Sequence, residues 1–236
     1  MLCGVFAAEP QTQTNANAAA VLLLAECVER LPSEPYEFTG DIVMRKAYGT
    51  ELKRLKFKSV ISWTPGASSA EYEIYSTTNA LLETLRAERR GGVLTLTRTT
   101  GAKREEAQPP ALNESVQGTD VTWLDIMMDF VWWKSPALDG TERVKGRDCA
   151  IVKVLPSAPL PGCAAMRLWL DIEQRVVMQA TQVDTKGKET RRMWVRSVQK
   201  IDGQWLIKDI EVETPGTGHR TKIHIEDCKP VATDHR

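Results

Sequence analysis

The sequence predicts a mainly β protein of the α+β class, an antiparallel meander with two apolar helical segments to cover it. Three observations carry that prediction. Over 146–226 apolar and polar residues alternate: Met166, Leu168 and Leu170 against Arg167, Trp169 and Asp171, Met193 and Val195 against Trp194 and Arg196, Ile223 and Ile225 against Lys222, His224 and Glu226. A period of two means strands, because successive side chains point to opposite faces. Turn-forming residues at 184–187 and 202–203 separate such runs by only a few positions, which reads as hairpins, so this stretch holds five or so long strands. Two further segments, 18–31 and 120–133, place apolar residues at helical spacing.

Taken in order, the first eight residues resemble the tail of a secretory signal, an apolar run followed by small residues, but no basic segment precedes them. Chance likeness is the alternative, and Cys3 has too few residues before it to be tested as a lipidation site. The polar stretch 11–17 reads as disordered. The chain is therefore divided into an export-signal remnant or disordered N-terminus (1–17), one domain (18–229) and a tail (230–236). The helix at 18–31 is built from strong helix formers, with Leu24, Val28 and Leu31 on one face and Leu23 and Cys27 beside them. Asn15 or Asn17 can cap it, and Pro32 and Pro35 end it.

Strands are expected at 38–45 and 52–63, the second alternating Leu55, Phe57, Ser59 and Ile61 with Lys56, Lys58, Val60 and Ser62. A turn at 48–50 joins them, the stretch 63–66 ends the second, and a third strand begins near 71. The segment 79–90 shows no strand period and reads as a short helix, or as a strand lying under flanking β structure. A Thr- and Val-rich strand follows at 93–99, then a polar loop at 101–118 with Pro109 and Pro110. In the helix at 120–133, which Thr119 or Asp120 can cap, Leu124, Met127, Met128 and Val131 share one face. Asp125 and Asp129, four apart, read as a solvated like-charge pair rather than as catalytic carboxylates. Residues 135–143 read as a loop.

The chain has 236 residues with 31 basic and 31 acidic side chains, a net charge of zero, and so no electrostatic footprint for nucleic acid. Its basic runs, 53–58 and 186–192, alternate with apolar residues and read as solvated strand faces. No apolar run approaches the roughly 18–20 residues that span a bilayer as a helix. The five cysteines form no CxxC pair and no zinc spacing. Cys149 and Cys163 flank a Pro-containing turn between expected neighbouring strands and are placed to pair in an oxidising compartment; the alternative is buried thiols. His224 and Cys228 are four apart in a strand, which gives no metal geometry, and His219 and His235 have no companion ligands nearby. No nucleophile elbow, phosphate loop or dinucleotide fingerprint occurs. No catalytic residue, metal or cofactor is assigned, and an enzyme is not expected. Tryptophan is plentiful, at 63, 123, 132, 133, 169, 194 and 205, and suits either core packing or the lining of an apolar cavity.

The order of the helix at 120–133, the GRDC at 146–149, the LWLD at 168–171 and the DGQW at 202–205 resembles the outer-membrane lipoprotein-sorting proteins, the Lol carrier-like fold. The resemblance is best over 115–227 and looser over 36–100. It implies a curved antiparallel sheet, an unclosed barrel plugged by helices, with acyl chains held between them. It implies a periplasmic or membrane-associated, non-enzymatic carrier of lipids or acylated lipoproteins. The alternative is an envelope stress-sensing or protein-interaction module whose cavity is filled by its own side chains. Read from the alternation of the strands and the helix faces, the lining of such a cavity falls to Trp63, Leu94, Trp123, Leu124, Met127, Met128, Val131, Leu168, Met178 and Met193. Carriers of this type hold a lid helix with an arginine of an early strand that precedes a proline. Here Arg45 and Lys46 lie in a comparable strand but Ala47 follows, so that role is not assigned.

Overall fold

Two antiparallel meanders merge into one sheet of thirteen strands. The computed structural model describes residues 10–32, 34–64, 67–201 and 204–231. The expected export-signal residues 1–8, most of the 230–236 tail and the 202–203 turn lie outside them. Strands β1 (Tyr36–Lys46), β2 (Glu51–Thr64), β3 (Ala67–Tyr75), β4 (Leu81–Arg90), β5 (Val93–Thr100) and β6 (Glu105–Ala107) form the first meander. Strands β7 (Lys134–Val144), β8 (Arg147–Leu155), β9 (Ala165–Asp171), β10 (Val177–Val183), β11 (Glu189–Ile201), β12 (Gln204–Glu213) and β13 (His219–Pro230) form the second. The sheet order is β6-β5-β4-β3-β2-β1-β13-β12-β11-β10-β9-β8-β7. The first and last strands therefore meet in the middle of the sheet, from Tyr36 opposite Pro230 to Lys46 opposite His219. The two edges, β6 and β7, are consecutive in the chain, so the segment between them must travel from one edge of the open sheet to the other.

That topology forces curvature. One buried core contains Leu85 of β4 and Val152 of β8 together with Ile42, Leu55, Ile74, Leu168, Met193, Val212 and Ile223. Between β4 and β8 lie nine strand spacings of about 4.8 Å, roughly 43 Å if the sheet were flat. Only a sheet curled toward one face brings such residues into a single cluster. Helix α1 (Pro10–Glu29) adds Ala20, Leu24 and Cys27 to that core, and the crossover between β6 and β7 adds Val121, Trp123, Leu124 and Phe130. A bulge between Thr39 and Gly40 lets β1 cross β13 at close range. A β-carbon at Gly40 would lie 1.9 Å from the carbonyl oxygen of His224, so only glycine fits there.

Several expectations change. The helix expected at 18–31 begins at Pro10, so 10–17 is helical rather than disordered; proline is tolerated at a first helical position, where its N–H would have no partner. Residues 81–90 form a strand, not a helix. Its inward row is Glu83, Leu85, Ala87 and Arg89, and two charges in that row erase the apolar period of two. The stretch 135–143 is also strand. It is the exposed edge strand β7, in which Pro136 sits at a register shift where a ladder hydrogen bond is not needed. The helix at 120–133 is broken: α2 (Trp123–Met127) has a Thr122–Asp125 capping box, Met128 adopts a left-handed conformation with φ 48°, and a 3₁₀ turn (Asp129–Trp132) follows. The 184–187 turn is a hairpin turn, its Asp184 carboxylate accepting the N–H groups of Lys186 and Lys188 at 2.8 Å each.

Candidate functional site

The core is not continuous along the curled face. The large cluster and a smaller one around Tyr36, Phe38, Leu206 and Cys228 touch through shared half-buried Phe57 and Ile61. Between them opens a cavity of about 410 Å³. Its floor is the sheet: Phe38, Phe57, Ser59, Ile61, Trp63 and Tyr72 from β1 to β3, and Leu206, Ile207, Ile210, Ile223 and Ile225 from β12 and β13. Its cover is the last part of α1 (Cys27 and Val28) and the crossover (Ile126, Met127, Met128, Val131 and Trp132). Alternation explains the floor, because every second residue of β2 and β13 faces the same way. The exposed members of the lining, Glu29, Arg30 and Trp205, mark the mouth, beside the β9–β10 turn with Gln174 and Arg175.

The predicted lining residues divide by place. Trp63, Met127, Met128 and Val131 line this cavity. Trp123, Leu124, Leu168 and Met193 are fully buried in the large cluster, Trp123 against the Tyr72 ring at 6.2 Å. Leu94 is a half-buried residue of β5, away from the cavity. Met178 packs on the opposite face with Cys149, Ile151 and Trp169. The cause is a register shift between Val177 and Gln179, which turns Val177 inward and Met178 outward. Trp194 also faces outward, stacked among the guanidinium groups of Arg192, Arg196 and Arg220 at 5.3–5.6 Å. Cys149 and Cys163 are free thiols in clusters on different faces, which precludes the pairing their spacing suggested. Cys27, at the cavity wall, has its thiol pushed up to about 12 by burial, so it stays protonated and unreactive at neutral pH.

The crossover that covers the cavity is held by charges the sequence reading placed in solvent. Asp125 and Asp129 are both buried. Asp125 pairs with Arg191 of β11, and Asp129 pairs with Arg89 of β4 while accepting the Trp133 Nε1–H at 2.9 Å. Asp120 is buried too, 2.7 Å from His219 Nδ1, and accepts the Thr221 hydroxyl at 2.8 Å. Arg98 of β5 lies 2.8 Å from Glu114 and 2.7 Å from the fully buried Glu83. Charged side chains thus fasten the crossover to strands of both meanders. Arg45 takes no part: it is exposed and only 3.7 Å from the surface residue Glu51. Helical spacing hid the carboxylate roles, since their partners are 66 and 40 residues away in sequence.

Among the described residues no group of three His, Cys, Asp or Glu side chains is arranged to hold a metal ion. No described helix is long and apolar enough to cross a membrane. With the fold and the cavity in place, a family model described as an uncharacterized protein matches residues 102–233, more than half of the chain. No curated protein matches by sequence. Several solved structures share the fold. A DUF1329 family protein from Desulfovibrio piger is 18% identical with a TM-score of 0.78, over 91% of this chain and 93% of that one. A domain named for outer membrane lipoprotein sorting, from Vibrio parahaemolyticus, is 11% identical with a TM-score of 0.77, again over 91% and 93%. A LolA superfamily protein from Nitrosomonas europaea is 15% identical with a TM-score of 0.67, over 91% and 94%.

Proposed function

The chain belongs to the family matched over residues 102–233 and has a divergent form of the Lol carrier-like fold; on that premise we propose that it is a periplasmic, non-enzymatic carrier or binding protein for lipids or acylated lipoproteins. Acyl chains would lie in the 410 Å³ cavity, between the curled sheet and a plug made of α1 and the crossover. The observation that carries this reading is the cavity itself. Its size falls within the roughly 300–1,000 Å³ of small-molecule sites, and its wall is mostly aliphatic, aromatic and thioether, with the charged side chains at the mouth. Met127 and Met128 suit a flexible guest, because an unbranched thioether repacks at little cost. Transfer of an acyl chain from water contributes about 0.8 kcal/mol for each buried methylene.

Such a carrier is expected to take up a fluorescent fatty acid after delipidation, saturably and at one site per chain. A module that fills its cavity with its own side chains, the competing reading for an envelope protein-interaction domain, would leave the probe in water at every protein concentration. That second result would end the carrier proposal.

A further inference from the structure

Resting on the carrier reading, we propose that the cavity selects amphiphiles with a single anionic head group, and that Arg30 and Arg175 at its mouth form the head-group site. Arg175 is set in place by a turn of its own. The Asp171 carboxylate accepts the N–H groups of Glu173 at 2.9 Å and Gln174 at 2.8 Å, and the Arg175 N–H reaches the Asp171 carbonyl at 3.0 Å. Arg175 itself sits at φ 58°, a left-handed conformation that an L side chain rarely adopts. Its guanidinium gives one edge to Glu26, Nε to Oε2 at 2.5 Å. Its Nη1 is enclosed and makes no hydrogen bond to any protein atom. A guanidinium N–H left without a protein acceptor is costly, and an anion brought to it would lower that cost.

Arg30, exposed and next to Arg175 at the mouth, reaches the Gln174 carbonyl at 3.5 Å, the limit of a hydrogen bond, and forms no ion pair among the described residues. A separate hollow of about 150 Å³ shares Gln174, Val176 and Trp205 with the main cavity and is otherwise lined by Met178, of the opposite face, and by Lys145, Arg147 and Arg196 among others. The Lys145 ammonium is held by the carbonyls of Val195 and Arg196, at 2.9 and 3.0 Å, rather than by a carboxylate. The mouth of the main cavity sets Arg30 and Arg175 beside Glu29 and Glu26, while Arg147 and Arg196 of the second hollow pair with Asp171 and Glu211. An acyl chain lying on the apolar floor would bring its polar end to this mouth. There an anion gains charge-assisted hydrogen bonds that a neutral head group cannot accept as strongly. The volume, in the lower half of the usual range, suits one chain rather than several.

The test is competition of palmitate, hexadecyl phosphate and hexadecanol against a bound fluorescent fatty acid, on wild type and on Arg30→Gln/Arg175→Gln. The inference expects both anions to compete about tenfold or more better than the alcohol on wild type. In the double variant that preference should shrink to roughly twofold while hexadecanol still binds, which also shows that the cavity is intact. The order of carboxylate and phosphate identifies the head group. Arg175→Lys is expected to keep part of the preference, and Arg30→Gln alone serves if loss of the Glu26 pair prevents folding. Equal competition by all three ligands on wild type, or a preference that survives in the double variant, overturns the head-group site and leaves the carrier reading standing. No binding of any of the three overturns both.

Discussion

Asp129→Ala is expected to lower the melting temperature by roughly 6–20 °C. Asp129 and Arg89 have side chains only 7% and 10% exposed, and they join the crossover to β4. Removing the carboxylate leaves a buried guanidinium whose remaining acceptor is the Gly92 carbonyl at 3.2 Å, and strands the Trp133 Nε1–H as well. Breaking a buried pair from one side costs about 3–5 kcal/mol, and in a chain of this length each kcal/mol moves the midpoint by about 2–4 °C. The cost comes from the unpaired charge rather than from lost attraction. Arg89→Met/Asp129→Leu should therefore recover most of the stability, because a well-packed apolar pair can replace a buried ion pair with little net change. Thermal unfolding of the three proteins decides it. A loss under about 1 kcal/mol in the single variant would mean that the crossover is not held there.

Ile61→Trp is expected to weaken acyl binding about 50-fold with a melting temperature close to that of wild type. Ile61 is half-buried in the cavity floor and touches both apolar clusters, so a larger side chain there grows into open volume rather than into packed core. Displacing three methylenes of a guest forfeits about 2.4 kcal/mol, which is roughly 50-fold in affinity. Titration with a fluorescent fatty acid measures the loss, and thermal unfolding shows that the fold persists. Unchanged affinity would place the acyl chain somewhere other than on this floor.

The second meander was the most legible part of the sequence, because β9, β11 and β13 keep charges on one face and apolar residues on the other. Legibility fell wherever charge turned inward. Glu83 and Arg89 point into the core and made β4 look aperiodic, yet they anchor the cover of the cavity. Asp125 and Asp129 looked like one solvated helix face for the same reason. A helical repeat records spacing, not the arginine that a distant strand brings alongside. Pro136 and Gly140 gave β7 the composition of a loop, which an edge strand with one neighbour tolerates. Within the site, Met127, Met128 and Val131 were readable as large apolar residues at helical spacing. Met178 was misplaced because a bulge in β10 moves a residue to the other face, and alternation cannot see it. Phe57, Ile61, Ile223 and Ile225 carried a visible alternation but no sign of which side was hollow. Arg175 carried no sequence signal, since its place depends on a turn closed by Asp171.

The most direct test of the carrier account is native mass spectrometry of the protein purified from its own host, with the bound material extracted and identified. The account predicts a stoichiometric adduct that proves to be a lipid or an acylated peptide and is displaced by added fatty acid. A clean mass of the bare chain, with no uptake of the fluorescent acyl probe after delipidation, would contradict it.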